Sequence, residues 1–223
     1  MLKLWRKYWY YIGGVLFVAA AFAMGFWGAQ SLSRIQVILV FSWMAMLVHQ
    51  FEEYALPGGF PLISNFIGSG EVEHPEESPL NQLQCFVSNV IFCYLAYLIP
   101  VFFPNLIWMG ASQVFAGVLQ LQAHGFSLNR KLKSVYSPGL GAVVFLQIPL
   151  AVYYIYYVCA YMQGNAWQLL LGVPGALLLL LFVFLLPIRF MKGTGHPFEE
   201  RELYGYKREF VKKELRNARS KTK

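Results

Sequence analysis

Long apolar stretches, separated by short polar segments, recur along the first 187 residues of the chain. A helix needs about 20 consecutive apolar residues to cross the hydrocarbon core of a bilayer. The pattern therefore predicts an all-α integral membrane protein, a bundle of about six transmembrane helices followed by an amphipathic, basic C-terminal tail. The predicted spans are Tyr10–Trp27, Ile35–Glu53, Leu83–Phe103, Leu106–Phe126, Leu140–Met162 and Trp167–Pro187.

This pattern divides the chain into a transmembrane domain, residues 1–187, and a basic tail, residues 188–223, which we expect to be helical and cytoplasmic. One long connection, residues 54–80, joins the second and third spans. Pro57–Gly59 should end the second helix, because proline and glycine break helical structure. The apolar middle of the connection, Phe60–Ile67, suits either a lid over a binding site or a re-entrant segment.

Composition and charge support a membrane location and give an orientation. The chain is 57% hydrophobic and only 13% charged, which excludes an ordinary soluble globular domain. Basic residues cluster before the first span, between the fourth and fifth spans and after the sixth. Since positive loops face the cytoplasm, we expect a multi-pass protein of the bacterial inner membrane with both termini cytoplasmic. The clusters begin with Lys3, Arg6 and Lys7, continue with Arg130, Lys131 and Lys133, and include eleven Lys or Arg from Arg189 onward.

The basic tail accounts for most of the formal net charge of +7. Basic segments next to a membrane attract anionic lipid head groups. We expect those head groups, rather than nucleic acid, to be the partner of the tail. The segment Phe198–Leu215 is predicted to be a helix lying on the membrane surface.

The candidate chemistry is at the end of the second span, in the sequence His49-Gln-Phe-Glu52-Glu53. Positions i, i+3 and i+4 share one face of a helix, so the imidazole and both carboxylates can meet. Ionisable groups at membrane depth usually mark a functional site. Histidine and carboxylate side chains are ligands of zinc, iron and manganese. The motif therefore predicts a divalent transition metal as cofactor.

His124 ends the fourth span, which runs in the same direction as the second, so the two histidines should lie at similar depth. The predicted metal ligands are His49, Glu52, Glu53 and His124, with the two glutamates as candidate catalytic residues. The alternative is that the motif is only a solvated helix end. Further polar residues should line a cavity beside the site, namely Asn81, Gln84, Ser88, Gln113 and Gln120.

Three features together, His49–Glu53, the following Pro57–Pro61, and His124 with Tyr136–Gly139, resemble the HXXEE-motif family of small bacterial multi-span proteins. The resemblance covers roughly residues 35–160. It implies that the motif residues belong to a functional site, but it supplies no reaction.

The glutamate intramembrane proteases have a similar layout of a glutamate pair and histidines on neighbouring membrane helices. Their pattern requires an arginine shortly after the pair, and residues 54–58 contain none. The likeness is therefore one of layout alone.

The favoured hypothesis is a metal-dependent membrane hydrolase acting on a lipid or other amphiphile at the cytoplasmic leaflet. A di-iron-type membrane oxidoreductase with the same ligands is second, because oxidation requires an electron donor and the sequence indicates none. A non-enzymatic protein, either a small cation-binding transporter or a structural subunit of a complex, remains a third alternative.

Overall fold

The structure, a computed structural model, describes residues 2–193 and 195–221. Helices account for most of these residues, and none of them lies in a β-strand. The long helices, labelled α1 to α6, span Lys3–Gly28, Arg34–Tyr54, Gln82–Phe102, Ile107–Leu121, Leu140–Tyr161 and Gln163–Met191. The shorter helices span Ala29–Ser31, Phe60–Leu62, Ile63–Gly68, Gln122–Ser127, Leu128–Leu132, Glu200–Leu203 and Arg208–Lys221.

Five of the long helices, all except α4, are long and apolar enough to cross a membrane. The prediction of an all-α membrane bundle is therefore confirmed. Gln113 and Gln120 lower the hydropathy of α4, which lies in the middle of the bundle in contact with α2, α3, α5 and α6. Polar residues in a membrane helix are tolerated where they face protein rather than lipid.

The start of α1 and the segment after α6 lie at the same end of the bundle, because Lys7 bonds the carboxylate of Glu199. Helix α4 must therefore traverse the bundle like the other five. We call this end the polar end.

One cluster of buried apolar residues fills the opposite end of the bundle. Ile38 and Leu39 of α2 pack there with Ile107 of α4 and with Tyr154 and Val158 of α5. The hydroxyl of Tyr154 donates to the carbonyl oxygen of Ile107 at 2.9 Å, which satisfies the one polar atom of this large buried ring. The predicted site residues His49, Glu53 and His124 lie at the polar end, at or just beyond the ends of α2 and α4.

The connection between α2 and α3 folds into a short helical segment, Phe60–Leu62 followed by Ile63–Gly68, which we call the loop helix. Asn65 holds the connection closed. Its side-chain amide donates to the carbonyl oxygens of Pro75 and Leu80, and its oxygen accepts from the backbone amide of Leu80, each at 2.9 Å. These hydrogen bonds join the loop helix to the end of the connection at the polar end of the bundle.

The tail packs on the loop helix, a protein contact that the sequence did not predict, and the predicted helix Phe198–Leu215 is divided into Glu200–Leu203 and Arg208–Lys221. Val211 and Leu215 of the tail helix, Arg208–Lys221, are buried in one cluster with Leu62, Ile63 and Leu132. An apolar stripe with this spacing suits a membrane surface and a protein groove equally well, so the sequence could not distinguish them. Anionic lipid binding by the outward-facing basic residues remains a prediction.

The tail and the loop helix also touch through their backbones. The amide of Tyr206 donates to the carbonyl oxygen of Gly58 at 3.1 Å. A Cβ atom on Gly59 would lie 2.6 Å from the backbone nitrogen of Gly205, so only glycine allows this approach. Together these segments form a cap on the polar end.

Candidate metal centre

His49 and Glu53 lie one turn apart at the end of α2, and His124 lies in Gln122–Ser127, just beyond α4. All three side chains are buried. One ligand atom from each can be chosen so that the three lie within 4.8 Å of one another. This group of two histidines and one carboxylate can hold a metal ion.

Two distances within the group are compatible with a bound metal ion. Glu53 Oε1 lies 3.3 Å from Nε2 of His124 and 3.6 Å from Nε2 of His49. Ligand atoms bound tetrahedrally at about 2.1 Å lie about 3.4 Å from one another. Both contacts are longer than the usual N–H···O hydrogen bond and lie near this ligand spacing.

The backbone of the turn before α5 orients His49. Nδ1 of His49 donates to the carbonyl oxygen of Gly139 at 2.9 Å, an assignment that follows because a carbonyl can only accept. The proton on Nδ1 leaves the lone pair of Nε2 directed at Glu53. Metal-binding histidines are generally oriented in this way by an acceptor on their other nitrogen.

His124 is held by packing and by its own backbone. Its ring lies 5.4 Å from the ring of Phe60, between centroids, and the hydroxyl of Ser137 donates to its carbonyl oxygen at 2.8 Å. Nδ1 of His124 is buried beside the backbone of Pro138 without a hydrogen bond of good geometry. Nε2 is therefore the nitrogen that faces Glu53.

Gly139 lies against both histidines in a conformation with φ +100°. A Cβ atom there would lie 2.7 Å from Cε1 of His49 and 2.8 Å from Cε1 of His124. Left-handed backbone disfavours other residues, and no space remains for a side chain. Glycine is thus required at this position for two independent reasons.

The carboxylate of Glu52 is bound elsewhere, at the N-terminus of α5. Its Oε1 accepts from the Tyr136 hydroxyl at 2.6 Å and from the Gly141 amide at 2.9 Å, while Oε2 accepts from the Ala142 amide at 2.8 Å. Burial and the bond to Glu52 raise the pKa of Tyr136, which keeps its hydroxyl a donor. Glu52 therefore does not join the converging group, contrary to its predicted role as a ligand.

A cavity of about 490 Å³ borders the converging group. Of the polar residues predicted to line it, Gln84 and Gln120 do so. The other three bond within the bundle. Asn81 accepts from the amide of Gln84 at 2.9 Å, Ser88 accepts from the Gln84 side chain at 2.8 Å, and Gln113 donates to the Leu39 carbonyl at 3.2 Å.

A family model described as "Protein of unknown function with HXXEE motif" matches residues 39–154, slightly more than half of the chain. The chain belongs to the HXXEE-motif family. A search of curated proteins and a search of solved structures each found no match.

The structure divides the residues of the HXXEE motif into two roles. His49 and the second glutamate, Glu53, point to the candidate metal position, whereas the first glutamate, Glu52, bonds the start of α5. A helix face defined by i, i+3 and i+4 is wide enough for its two carboxylates to point to different neighbours.

Several residues of the site were missed by sequence reasoning. Gln50 and Asn89 both line the cavity, and the Gln50 side chain donates to the carbonyl oxygen of Asn89 at 3.0 Å. An amide beside His49 in an apolar span was a signal that could have found Gln50. The Ser-Pro-Gly turn ending at Gly139 indicated a helix start but carried no sign of its contact with His49.

Proposed function

We propose that this HXXEE-motif protein is a metal-dependent membrane enzyme, a hydrolase acting on a lipid or other amphiphile. One observation carries the proposal. Two histidines and a carboxylate converge with spacings that suit a tetrahedral metal, on the wall of a cavity at the end of membrane-spanning helices.

In this proposal Nε2 of His49, Nε2 of His124 and Oε1 of Glu53 hold a divalent ion, either zinc, iron or manganese. Three protein ligands leave a fourth position open, which is typical of catalytic rather than structural zinc sites. When bound, such an ion lowers the pKa of a coordinated water and polarises a carbonyl oxygen. The Gly139 carbonyl fixes the ring of His49, and Glu52 positions the turn that carries that carbonyl.

Two features favour hydrolysis over the alternatives. A carboxylate-bridged di-iron site uses several glutamates, and Glu53 is the one carboxylate of the described residues in the converging group, since Glu52 is occupied at α5. A transport path would have to pass the buried apolar residues at the far end of α2 and α4, including Ile38, Leu39 and Ile107.

The orientation supports a site at the cytoplasmic leaflet. The candidate metal position lies at the polar end of the bundle, where the basic segments around Lys7 and Lys133 also lie. Because positive segments face the cytoplasm, we propose that the site opens toward the inner leaflet of the bacterial inner membrane.

The test is turnover by purified protein in vesicles of phosphatidylethanolamine and phosphatidylglycerol, supplied in turn with zinc, iron and manganese. Mass spectrometry of the lipids should show a hydrolysis product with at least one metal. Glu53→Gln should abolish the product, since it removes the charged ligand while preserving the size of the side chain. Absence of product with all three metals, from protein that binds metal, would refute lipid hydrolysis.

A further inference from the structure

Helices α4 and α6 are packed closely at one end and separate toward the other. Gly172 and Gly175 of α6 lie so near α4 that a Cβ on Gly172 would be 2.4 Å from the Cβ of Ala111. A Cβ on Gly175 would overlap the hydroxyl of Ser112. Small residues at these positions let the two backbones approach, as is common between membrane helices.

Toward the polar end, α6 diverges from α4 and packs against α3. Its segment Leu181–Leu185 contacts Val87–Phe92 of α3. Large side chains replace the glycines in this half of α6, so the close approach to α4 cannot continue. A gap between α4 and α6 is the consequence, and the 490 Å³ cavity occupies it.

The exposed residues that line the cavity mark its mouth. Leu119 of α4 is 38% exposed and Leu185 of α6 is 59% exposed, and both line the cavity. Both are apolar and exposed on the outside of the bundle, where lipid chains would contact them in a bilayer. Gln122 and Lys131, also exposed lining residues, lie on the same side of the mouth as the polar end. The mouth is thus apolar toward the membrane core and polar toward the surface.

The interior of the cavity, like its mouth, has an apolar part and a polar part. Ala96, Val183 and Phe184 line its apolar part, while His49 and Glu53 line its polar part. Its volume falls within the roughly 300–1,000 Å³ of ordinary small-molecule sites. The space suits a polar head group together with the first part of one hydrocarbon chain.

We propose that the gap between α4 and α6 is a lateral portal through which an acyl-chain amphiphile reaches the cavity from the bilayer. The chain lies between Leu119 and Leu185 and extends into the membrane, while its head group lies beside His49, Glu53 and His124. This inference rests on the proposed function for the role of the head group, but the binding of the chain can be measured without turnover.

The test uses phosphatidylglycerol that carries a diazirine in one acyl chain, incorporated into vesicles with the full-length protein. After illumination, peptide mass spectrometry should find label on Val183 and Cys93, which are 5% and 7% exposed and out of reach of surrounding lipid. Leu119→Trp and Leu185→Trp should each reduce that labelling several-fold by narrowing the mouth. Both substitutions are at exposed positions, so the fold should tolerate them.

Val152→Trp is the matched control, because Val152 is 62% exposed on α5 and does not line the cavity. It should leave the labelling of Val183 unchanged. Label confined to lipid-facing residues such as Val152, or label at Val183 that both mouth variants leave intact, would overturn the portal.

Metal content measured on the same samples separates the two proposals. If the protein binds metal but shows no label at Val183 or Cys93, the metal centre is supported and the portal is refuted. If the protein is labelled at these residues but binds no zinc, iron or manganese, the portal is supported and the proposed function is refuted.

Discussion

Gly139 lies where the turn before α5 meets both candidate histidine ligands. Gly139→Ala should cost about 1–2 kcal/mol for the left-handed backbone alone, and its methyl group would displace the rings of His49 and His124. We expect weaker metal binding and a lower thermal unfolding temperature. Gly193→Ala is a suitable control, since Gly193 has φ +71° and no heavy atom within 4 Å of its added Cβ. If Gly139→Ala bound metal as tightly as Gly193→Ala, the tight fit around the histidines would be contradicted.

Glu52 and Tyr136 should matter for stability rather than for metal content. The hydrogen bonds of Glu52 are part-buried, and losing such a bond costs about 0.5–1.5 kcal/mol. Glu52→Gln and Tyr136→Phe should therefore lower the thermal unfolding temperature in detergent while the folded protein still binds metal. A Glu52→Gln protein that unfolds like wild type but has lost its metal would return Glu52 to the ligand set.

The sequence predicted that His49, Glu53 and His124 lie close together, but not that Glu52 bonds a different neighbour. Membrane depth and helix direction were enough to bring His124 to the end of α2, as the structure has it. Helical spacing placed both glutamates on the face of His49, yet the neighbour that each one meets depends on where the turn before α5 lies. The position of that turn is set by the tertiary fold, so it cannot be predicted from residue spacing within α2.

The long helices were predictable because a single physical requirement, the thickness of the bilayer, sets the length of each apolar run. Each end of α2, α3 and α5 lies within one residue of its predicted position. The cap at the polar end was not predictable in the same way. Loop helix and tail are held by contacts between segments far apart in the chain, such as Tyr206 with Gly58.

The tail helix is expected to stabilise the cap through its buried apolar side chains. Leu215 is 6% exposed and packs in the cluster with Leu62 and Leu132. Leu215→Ala should cost about 2–5 kcal/mol, the usual range for a buried leucine. Faster proteolysis of the loop helix, measured by limited digestion, should accompany the loss. Arg216→Ala, at an exposed neighbouring position, should digest like wild type; equal digestion of both variants would show that the tail is not part of the cap.

The distribution of charge over the complete bundle predicts the side of the membrane on which the polar end lies. The segment around Lys7, the loop around Lys133 and the tail all lie at that end. Reporter fusions at the C-terminus and after Phe103, between α3 and α4, should therefore report the cytoplasm and the opposite side respectively. A C-terminal reporter active on the outer side would place the candidate site at the outer leaflet and contradict the proposed orientation.

The most direct test of the central claim is the metal content of purified protein, compared between variants of the two adjacent glutamates, Glu52 and Glu53. After loading with zinc, iron or manganese and extensive dialysis, elemental analysis of wild type should find about one metal ion per chain. Glu53→Gln and His124→Ala should lose it, whereas Glu52→Gln, which removes the same charge one residue away, should keep it. Wild type without metal under all three conditions, or a Glu53→Gln variant that retains the full amount, would contradict the assignment of His49, Glu53 and His124 as a metal centre.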